Sequence, residues 1–168
     1  MNPTIIIIGG VSGTGKSTLA KELSKALSIP AFSKDELEAA VSRKGLCNNK
    51  DTKNVGYEIL FTLVKNQIEN NNSAIIDFIA SKQRVKELWP GLLSSNFKYI
   101  ECTCSNLDIH KQRIESRNRH ISGWYELTWN DVLKTKKAFQ PLQENHLILD
   151  SMDDLDDNID KAIKYVSS

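Results

Sequence analysis

Residues 5–18 read IIIIGGVSGTGKST, and this stretch decides the fold. It begins with four isoleucines that are apolar on both faces of the pleat, which is typical of a central strand in a covered parallel sheet. Residues 10–17 then fit the pattern G-x-x-x-x-G-K-[ST], the P-loop motif. From residue 16 onward, leucines recur at every fourth position through residue 27, so a helix is predicted there. The order strand, glycine-rich loop, helix favours an α/β fold that binds phosphate.

The residue types of the loop match the chemistry of a bound phosphate chain. Glycines allow the backbone to curl so that successive N–H groups face an anion, and the helix that follows directs its positive end at the same place. Lys16 is predicted to reach the β- and γ-phosphates of ATP, and the Ser17 hydroxyl to bind Mg²⁺. The residues predicted to hold the nucleotide are Gly10, Val11, Ser12, Gly13, Thr14, Gly15, Lys16, Ser17 and Thr18. The alternative interpretation is an accidental glycine-rich turn between a strand and a helix.

Length and composition predict a single domain over residues 1–168 that acts in the cytoplasm. The 168 residues suit one domain, and 40% hydrophobic residues suffice for a core. A net charge of +1 gives no general attraction to nucleic acid or to a membrane, so neither is expected as a partner. The N-terminal apolar run is too short for a secretory signal, and no run approaches the length of a membrane span.

The three cysteines also favour a reducing compartment. Cys47, Cys102 and Cys104 are odd in number and lack the spacing of a disulfide framework, so they are predicted to be reduced thiols. Cys102 and Cys104 are expected on one face of a strand. Packing in the core is favoured there over a zinc site, because two thiols without partner ligands do not make one.

Strands and helices are predicted to alternate along the chain, as in an α/β fold with a parallel sheet. Apolar runs predict five parallel strands, at 5–8, 29–32, 74–79, 97–102 and 146–150. Helices are predicted on both faces of the sheet, from 16, at 34–43 and 55–70, from 82 to Pro90, at 107–117 and 129–139, and from the acidic run 153–157 through 166. Capping boxes are expected at Ser33 with Glu36 and at Thr128 with Asp131. Ligands of such sheets bind beyond the carboxyl ends of the strands.

Two carboxylates are predicted at that edge. Asp35 follows the second strand and could accept the proton of an attacking hydroxyl, although it could equally be an ordinary acid in the first turn of a helix. Asp77 interrupts an otherwise apolar strand, and a buried carboxylate needs a partner. The magnesium shell is one candidate partner of Asp77. A turn that Asp77 caps at the strand end is the other interpretation.

The densest cationic cluster contains Lys111, Arg113, Arg117 and Arg119. Arg113 and Arg117 are four residues apart, so on a helix they would point the same way. Two guanidinium groups can hold ATP from outside, by stacking on the base and by forked hydrogen bonds to phosphate. Arg117 is predicted to stabilise the phosphoryl group in transfer. A solvated basic helix is the alternative.

An aromatic cluster follows these arginines, within a predicted lid at about residues 117–130. With Gly123 as a hinge it could form a flexible lid, it could line the acceptor pocket, or it could be ordinary packing; its members are His120, Trp124, Tyr125 and Trp129. His146 begins a strand and is predicted to be structural.

With these residues in place, the chain resembles the P-loop small-molecule kinases. This group includes gluconate kinase, shikimate kinase, chloramphenicol phosphotransferase, zeta-type toxins and the kinase half of phage polynucleotide kinase. The segment Ser33-Lys34-Asp35 is similar to the group's strand-two segment that ends in a catalytic aspartate. The pair in Arg113-Ile114-Glu115-Ser116-Arg117 is similar to the arginines that open the lid.

The resemblance implies a three-layer sandwich whose five-stranded sheet has the order 2-3-1-4-5. It also implies that Asp35 is the catalytic base, that Arg113 lies against adenine and that Arg117 reaches the phosphates. Ser151-Met152-Asp153 takes the place of the loop that holds adenine in this superfamily. The region between Glu36 and Asn54 departs from the group, since it holds Arg43 but no clear acceptor-binding motif.

The leading expectation is a phosphotransferase that uses ATP and Mg²⁺ and acts on a hydroxyl of a small molecule, as a monomer or a homodimer. Lys16, Asp35 and Arg117 are its predicted catalytic residues. A nucleotide or nucleic-acid 5′-kinase is the second hypothesis, and a regulatory ATP-binding module without an acceptor is a third. A GTPase is disfavoured, because residues 49–52 lack the final aspartate of N-K-x-D.

Overall fold

The structure is a computed structural model that describes residues 3–45, 52–94, 96–118, 125–143 and 145–168. In these residues the strands are β1 (Ile5–Gly9), β2 (Ala31–Ser33), β3 (Ala74–Asp77), β4 (Phe97–Thr103) and β5 (Leu147–Asp150). The helices are α1 (Lys16–Leu27), α2 (Lys34–Arg43), α3 (Thr52–Glu69), α4 (Lys82–Leu88), α5 (Leu107–Glu115), α6 (Trp129–Ala138) and α7 (Leu155–Val166), and Pro90–Ser94 form a short 3-10 helix.

The strands form one sheet in the order β2-β3-β1-β4-β5, and every pairing is parallel. This confirms the predicted fold class and strand order. In the register, Ile8 of β1 pairs with Asp77 of β3, and Ser33 of β2 pairs with the same aspartate. The carboxyl ends of β1, β2 and β3 therefore meet at one edge of the sheet, and β1 leads directly into the P-loop there.

The four isoleucines of β1 contribute to the hydrophobic cores on both faces of the sheet. Ile5 and Ile7 pack on one face of the sheet, in a core that includes residues of α3 and α4. Ile6 and Ile8 pack on the other face, in a core that includes residues of α1 and α7. All four are at most 2% exposed, and each such burial contributes about 1.5–3 kcal/mol. The strand that carries the P-loop is therefore held firmly from both sides.

Several predicted boundaries are wrong, and each has a local cause. β2 begins at Ala31, because Pro30 has no N–H and takes part only through its carbonyl, which accepts from Ile75 N at 2.9 Å. β3 ends at Asp77, two residues before the predicted end, so this aspartate closes its strand and does not interrupt it. Helix α5 ends at Glu115, before Arg117.

One of the two predicted capping boxes forms. Thr128 Oγ1 accepts from the Asp131 N–H at 3.3 Å, and the Asp131 carboxylate accepts from the Thr128 N–H at 3.0 Å, as predicted. Ser33 begins α2 without a hydrogen bond from its side chain, so the box with Glu36 is wrong. Ser33 is also the last residue of β2, and its pairing with Asp77 holds its backbone in the sheet.

The described cysteines belong to the interior. Cys102 on β4 packs in the core beside α1 and α7, and burial raises the pKa of its thiol to about 12. Cys104 is 5% exposed, and both are free thiols. Cys47 lies outside the described residues. Among the helices of the described ranges, none combines the length and apolar character that a membrane crossing requires.

Candidate active site

The P-loop curls because its glycines take a backbone shape that other residues avoid. Gly10 has a φ of +127° and passes so close to β4 that a Cβ there would overlap the carbonyl oxygen of Cys102. Gly15 precedes α1 as its N-cap residue and has a φ of +89°. Because no side chain caps this helix, its first N–H groups remain available to an anion.

The loop is also fixed by bonds of its own. The Val11 carbonyl accepts from Lys16 Nζ and from Thr14 Oγ1, both at 2.9 Å. Lys16 is only 9% exposed, so its ammonium group lies against the loop. The loop backbone therefore holds the positive charge of Lys16 in place.

Asp77 meets the first turn of α1. Its Oδ2 accepts from Ser17 Oγ at 2.5 Å, and the aspartate is 3% exposed. The two oxygens come from the end of β3 and the start of α1. Hydroxyl and carboxylate oxygens are the ligands that Mg²⁺ prefers, so this pair fits a metal bound beside the P-loop.

Asp35 occupies a more open position across the cleft. It is the second residue of α2, its side chain is 44% exposed, and its Oδ1 lies 3.7 Å from Lys34 Nζ. Lys34 is itself bonded to the buried Glu38 one turn further along α2. The Glu38 carboxylate therefore shares the charge of Lys34 with Asp35, and the partly exposed Asp35 side chain lines the cleft.

Arg113 closes the opposite end of the cleft. Its Nη1 donates to Ser151 Oγ at 2.6 Å, and its Nη2 lies 3.4 Å from the Ser151 carbonyl oxygen. Ser151 in turn lies against the P-loop, since a Cβ at Gly15 would be 3.0 Å from the Ser151 Cβ. Arg117 is exposed and follows α5, yet it reaches the same cleft. Both arginines thus line one ligand space.

These groups surround a single cleft of about 430 Å³. It brings together most of the predicted site residues, namely Ser12, Gly13, Thr14, Gly15, Lys16, Ser17, Thr18, Asp35, Asp77, Arg113, Arg117 and Ser151. Gly10 and Val11 support the loop from outside this lining. Met152 is 38% exposed and also lies outside it, with its N–H bonded to Asp150. Although burial opposes the effect, hydrogen bonds from Ser105 and from this N–H lower the pKa of Asp150.

The predicted lid is only partly described. Arg119, His120, Gly123 and Trp124 lie outside the described residues. Tyr125 is 58% exposed, and its hydroxyl donates to Asp131 Oδ2 at 2.7 Å. Lys111 is 3.8 Å from Glu115 on the surface of α5.

Two buried histidines lie apart from the cleft lining. His146 Nε2 is 2.9 Å from Glu101 Oε2 and its ring packs on Tyr99, which is consistent with the structural role predicted for it. Trp129 contacts the ring of His110 edge to face.

Sequence reasoning missed part of the lining. Phe78 and Ile79 follow β3, while Leu155 and Asn158 stand in the first turn of α7. Their positions just beyond parallel strands could have placed them at this edge. Asn158 Nδ2 donates to the Asp150 carbonyl at 2.8 Å, and its Oδ1 has no hydrogen-bond partner in the described part of the chain.

The AAA domain family matches residues 5–142. The chain belongs to this family. The match runs from β1 to just beyond α6. It therefore includes the P-loop, Asp35, Asp77 and both arginines that line the cleft. No curated protein has a sequence that matches the chain.

Several solved structures similar to this AAA domain are described as kinases. A protein from Chloroflexus aurantiacus, provisionally described as a kinase, has 20% identity and a TM-score of 0.80, covering 98% of this chain and 99% of that one. A gluconokinase from Sinorhizobium meliloti has 15% identity and a TM-score of 0.63, with coverages of 98% and 92%. The APS kinase CysC of Mycobacterium tuberculosis, in complex with AMPPNP and APS, has 15% identity and a TM-score of 0.68, with 99% of both chains covered. The predicted resemblance to P-loop small-molecule kinases is thereby confirmed as a likeness of fold.

Proposed function

We propose that this AAA domain is an ATP- and Mg²⁺-dependent phosphotransferase that moves the γ-phosphoryl group of ATP to a hydroxyl of a small molecule. The observation that supports this best is the position of Asp35. It lines the same cleft as Lys16 and Ser17 of the P-loop, but it belongs to a different element and is partly open to solvent. A module that only binds ATP has no need of a second carboxylate across from the phosphates.

In the proposed reaction, the acceptor oxygen attacks the γ-phosphorus in line with the bond to the β,γ-bridging oxygen. The new P–O bond forms as that bond breaks, and ADP leaves with the electron pair. Asp35 accepts the proton of the hydroxyl. Lys16 and Arg117 neutralise charge that develops on the transferring group, while the N–H groups of residues 12–18 hold the phosphates in position.

The pair of Ser17 and Asp77 would hold Mg²⁺, directly or through water. Bound there, the metal supplies charge neutralisation at the β- and γ-phosphates. Ser17 Oγ and Asp77 Oδ2 already face each other at 2.5 Å, so the protein keeps both oxygen ligands ready in one place.

Arg113 and the loop at Ser151 and Met152 would hold the adenine end of ATP. The bond from Arg113 to Ser151 Oγ joins α5 to the loop after β5, and both residues line the cleft. A planar guanidinium group can stack on a base in this position.

An ATP-consuming enzyme with free thiols suits the reducing cytoplasm, where we place its activity. The other partner is a small hydroxylated molecule, such as a sugar acid or an antibiotic, and the protein acts as a monomer or a homodimer.

The experiment is a panel of hydroxylated acceptors, tested with the full chain, ATP and Mg²⁺, with ADP release as the readout. Sugar acids, sugars, antibiotics, nucleosides and oligonucleotides with a free 5′-hydroxyl form the panel. We expect one class to stimulate ADP release above the rate with water alone, and Lys16→Ala to abolish the stimulation. A protein that binds ATP but releases ADP equally with every acceptor would contradict the proposal and favour a regulatory module. Stimulation by nucleosides or nucleic-acid ends alone would replace it with the 5′-kinase.

A further inference from the structure

His110 lies behind the P-loop, on the side away from the cleft. It is a residue of α5, one turn before Arg113, and it is 1% exposed. Its Nε2 is 2.7 Å from the carbonyl oxygen of Ser12. A short hydrogen bond from a fully buried imidazole to the backbone of the phosphate loop is a contact that the proposed chemistry does not use.

The packing around the imidazole leaves it little freedom. A Cβ at Gly13 would lie 3.0 Å from His110 Cδ2 and 2.7 Å from the end of Ile114, so the loop backbone touches α5 directly. From the other side, the ring of Trp129 stands edge-on to the imidazole with 5.1 Å between centroids. The histidine is therefore fixed between the P-loop and the start of α6.

The geometry of the peptide group gives this bond a consequence on the cleft side. In a planar trans peptide the carbonyl oxygen and the N–H point in opposite directions. Because the Ser12 carbonyl points back to His110, the N–H of Gly13 points to the other side of the loop, where Gly13 lines the cleft. That is the side on which a phosphate chain would lie.

The peptide could also take the opposite orientation. Gly13 has a φ of +86°, and a glycine tolerates the change of backbone angles that a flip of the Ser12–Gly13 peptide requires. After such a flip, a carbonyl oxygen would face the phosphates and repel them. A group that binds the Ser12 carbonyl on the side away from the cleft therefore determines whether the ligand contacts an N–H group or a carbonyl oxygen.

We propose that His110 is a positioning residue for phosphate binding, which holds the Ser12–Gly13 peptide with its N–H toward the cleft. This inference rests on the proposed nucleotide site, and it assigns part of that site's affinity to a side chain that never touches the nucleotide.

The state of the imidazole agrees with this role. The Ser12 carbonyl can only accept, so the proton of a neutral imidazole lies on Nε2, and Nδ1 has no hydrogen-bond partner within the described residues. Burial above all, and then the positive charges of Lys136, Arg113 and Lys16, lower the pKa of His110, against the opposing effect of the Ser12 bond. The neutral form with a donor at Nε2 is thus the one that the surroundings favour.

The test is the affinity of the full chain for ATP with Mg²⁺, measured by calorimetry in three variants. His110→Phe keeps the ring volume but removes the donor. His110→Gln keeps a donor near the position of Nε2. His146→Gln is the matched control, because it alters another buried histidine whose Nε2 is hydrogen bonded, to Glu101 and away from the loop. Thermal melting of each unliganded variant reports its folding, and His110→Leu replaces the phenylalanine variant if that one does not fold.

We expect His110→Phe to raise Kd about tenfold, the effect of one good hydrogen bond, and His110→Gln to recover most of the affinity. His146→Gln should bind like the wild type. A folded phenylalanine or leucine variant with wild-type affinity would overturn the inference alone, as would equal losses in the glutamine and phenylalanine variants. A wild-type protein that does not bind ATP would overturn the proposed function and the inference together.

Discussion

Asp35 and Asp77 are held differently, and this difference separates their proposed roles. Asp77 is 3% exposed and bonded to Ser17, so it already has a fixed partner. The Asp35 side chain is 44% exposed and lines the same cleft from the first turn of α2. A general base must reach the acceptor, whereas a metal ligand must hold its position. The two carboxylates satisfy these opposite requirements.

Asp35→Asn should lower the rate of phosphoryl transfer about a hundredfold or more, because the amide cannot accept the proton. The affinity for ATP should stay nearly unchanged, since Asp35 does not belong to the P-loop. Steady-state kinetics with a responsive acceptor and calorimetry with ATP measure the two quantities. Glu36→Gln, at the exposed next position of α2, is the control for loss of charge. An unchanged rate in Asp35→Asn would remove the catalytic base from the account.

Asp77→Asn should raise the Mg²⁺ concentration needed for half-maximal nucleotide binding by about tenfold or more. The asparagine oxygen can still accept from Ser17 Oγ, so the local structure is expected to persist while the ligand loses its charge. A titration of Mg²⁺ at fixed ATP measures the effect. If the Mg²⁺ requirement did not change, Asp77 would be a structural residue at the strand end, and the alternative interpretation, in which it caps a nearby turn, would be favoured.

The conformation of the P-loop requires its backbone to pass very close to β4. Gly10 sits where strand turns into loop, with a φ of +127° and no space for a Cβ beside the Cys102 carbonyl. Gly45, after α2, has a φ of +66° but nothing within 4 Å of its would-be Cβ. Alanine substitutions at the two positions therefore distinguish the free-energy cost of a positive φ from the cost of steric overlap.

Gly10→Ala should therefore destabilise the fold much more than Gly45→Ala. We expect Gly45→Ala to cost about 1–2 kcal/mol of unfolding free energy, from the left-handed backbone alone. Gly10→Ala should cost that amount and a further 1–3 kcal/mol or more, because β4 must move to admit the methyl group. Urea denaturation of both variants measures the difference. Equal losses would mean that the loop can move away from β4 freely.

Local sequence signals predicted elements well wherever the element depends on its own residues. The capping box of α6 needs only Thr128 and Asp131, and it forms. The box expected at Ser33 does not form, and the backbone of Ser33 is paired there with Asp77 of β3, a strand distant in sequence. Helical spacing also failed for Arg117. Because α5 ends at Glu115, Arg117 is not on the same helix as Arg113. Arg117 still lines the cleft, because the loop after α5 brings it there. The path of this loop could not be predicted from helical spacing.

At the scale of the whole molecule, the P-loop motif predicted which edge of the sheet carries the site. The parallel order β2-β3-β1-β4-β5 then brings Ser17, Asp35 and Asp77 together although they come from three separate elements. The order itself came from the resemblance to known kinases, because alternation of strands and helices does not determine it.

The contact of His110 with the P-loop could not be predicted from the sequence. A lone histidine on a helix carries no sign of the loop it contacts, because its partner Ser12 is far away in the chain.

The stability of the molecule should depend on pH through His110. Its folded pKa lies below the ordinary value of about 6.5, so the unfolded chain takes up a proton at this residue before the folded one does. Stability from this group is therefore present above pH ~6.5 and is lost as the pH falls below that value. Asp131 and Asp150, whose pKa values are lowered from 3.8, lose their contribution only at more acid pH.

Urea denaturation between pH 7 and pH 5 checks this dependence. The wild type should lose stability more steeply than His110→Gln, which has no proton to gain at that position. The remaining histidines are common to both proteins, so their titration cancels in the difference. Parallel curves would show that the imidazole of His110 is not held in its neutral form.

The central claim is that a phosphate chain binds to main-chain N–H groups and to Lys16 at the start of α1. A calorimetric titration of the wild type and Lys16→Ala with ATP and Mg²⁺ tests it most directly. We expect saturable binding of one ATP per chain in the wild type and at least a tenfold weaker affinity in Lys16→Ala, since a charge-assisted contact is lost. Equal affinity in the two proteins, or no heat of binding in the wild type, would contradict it.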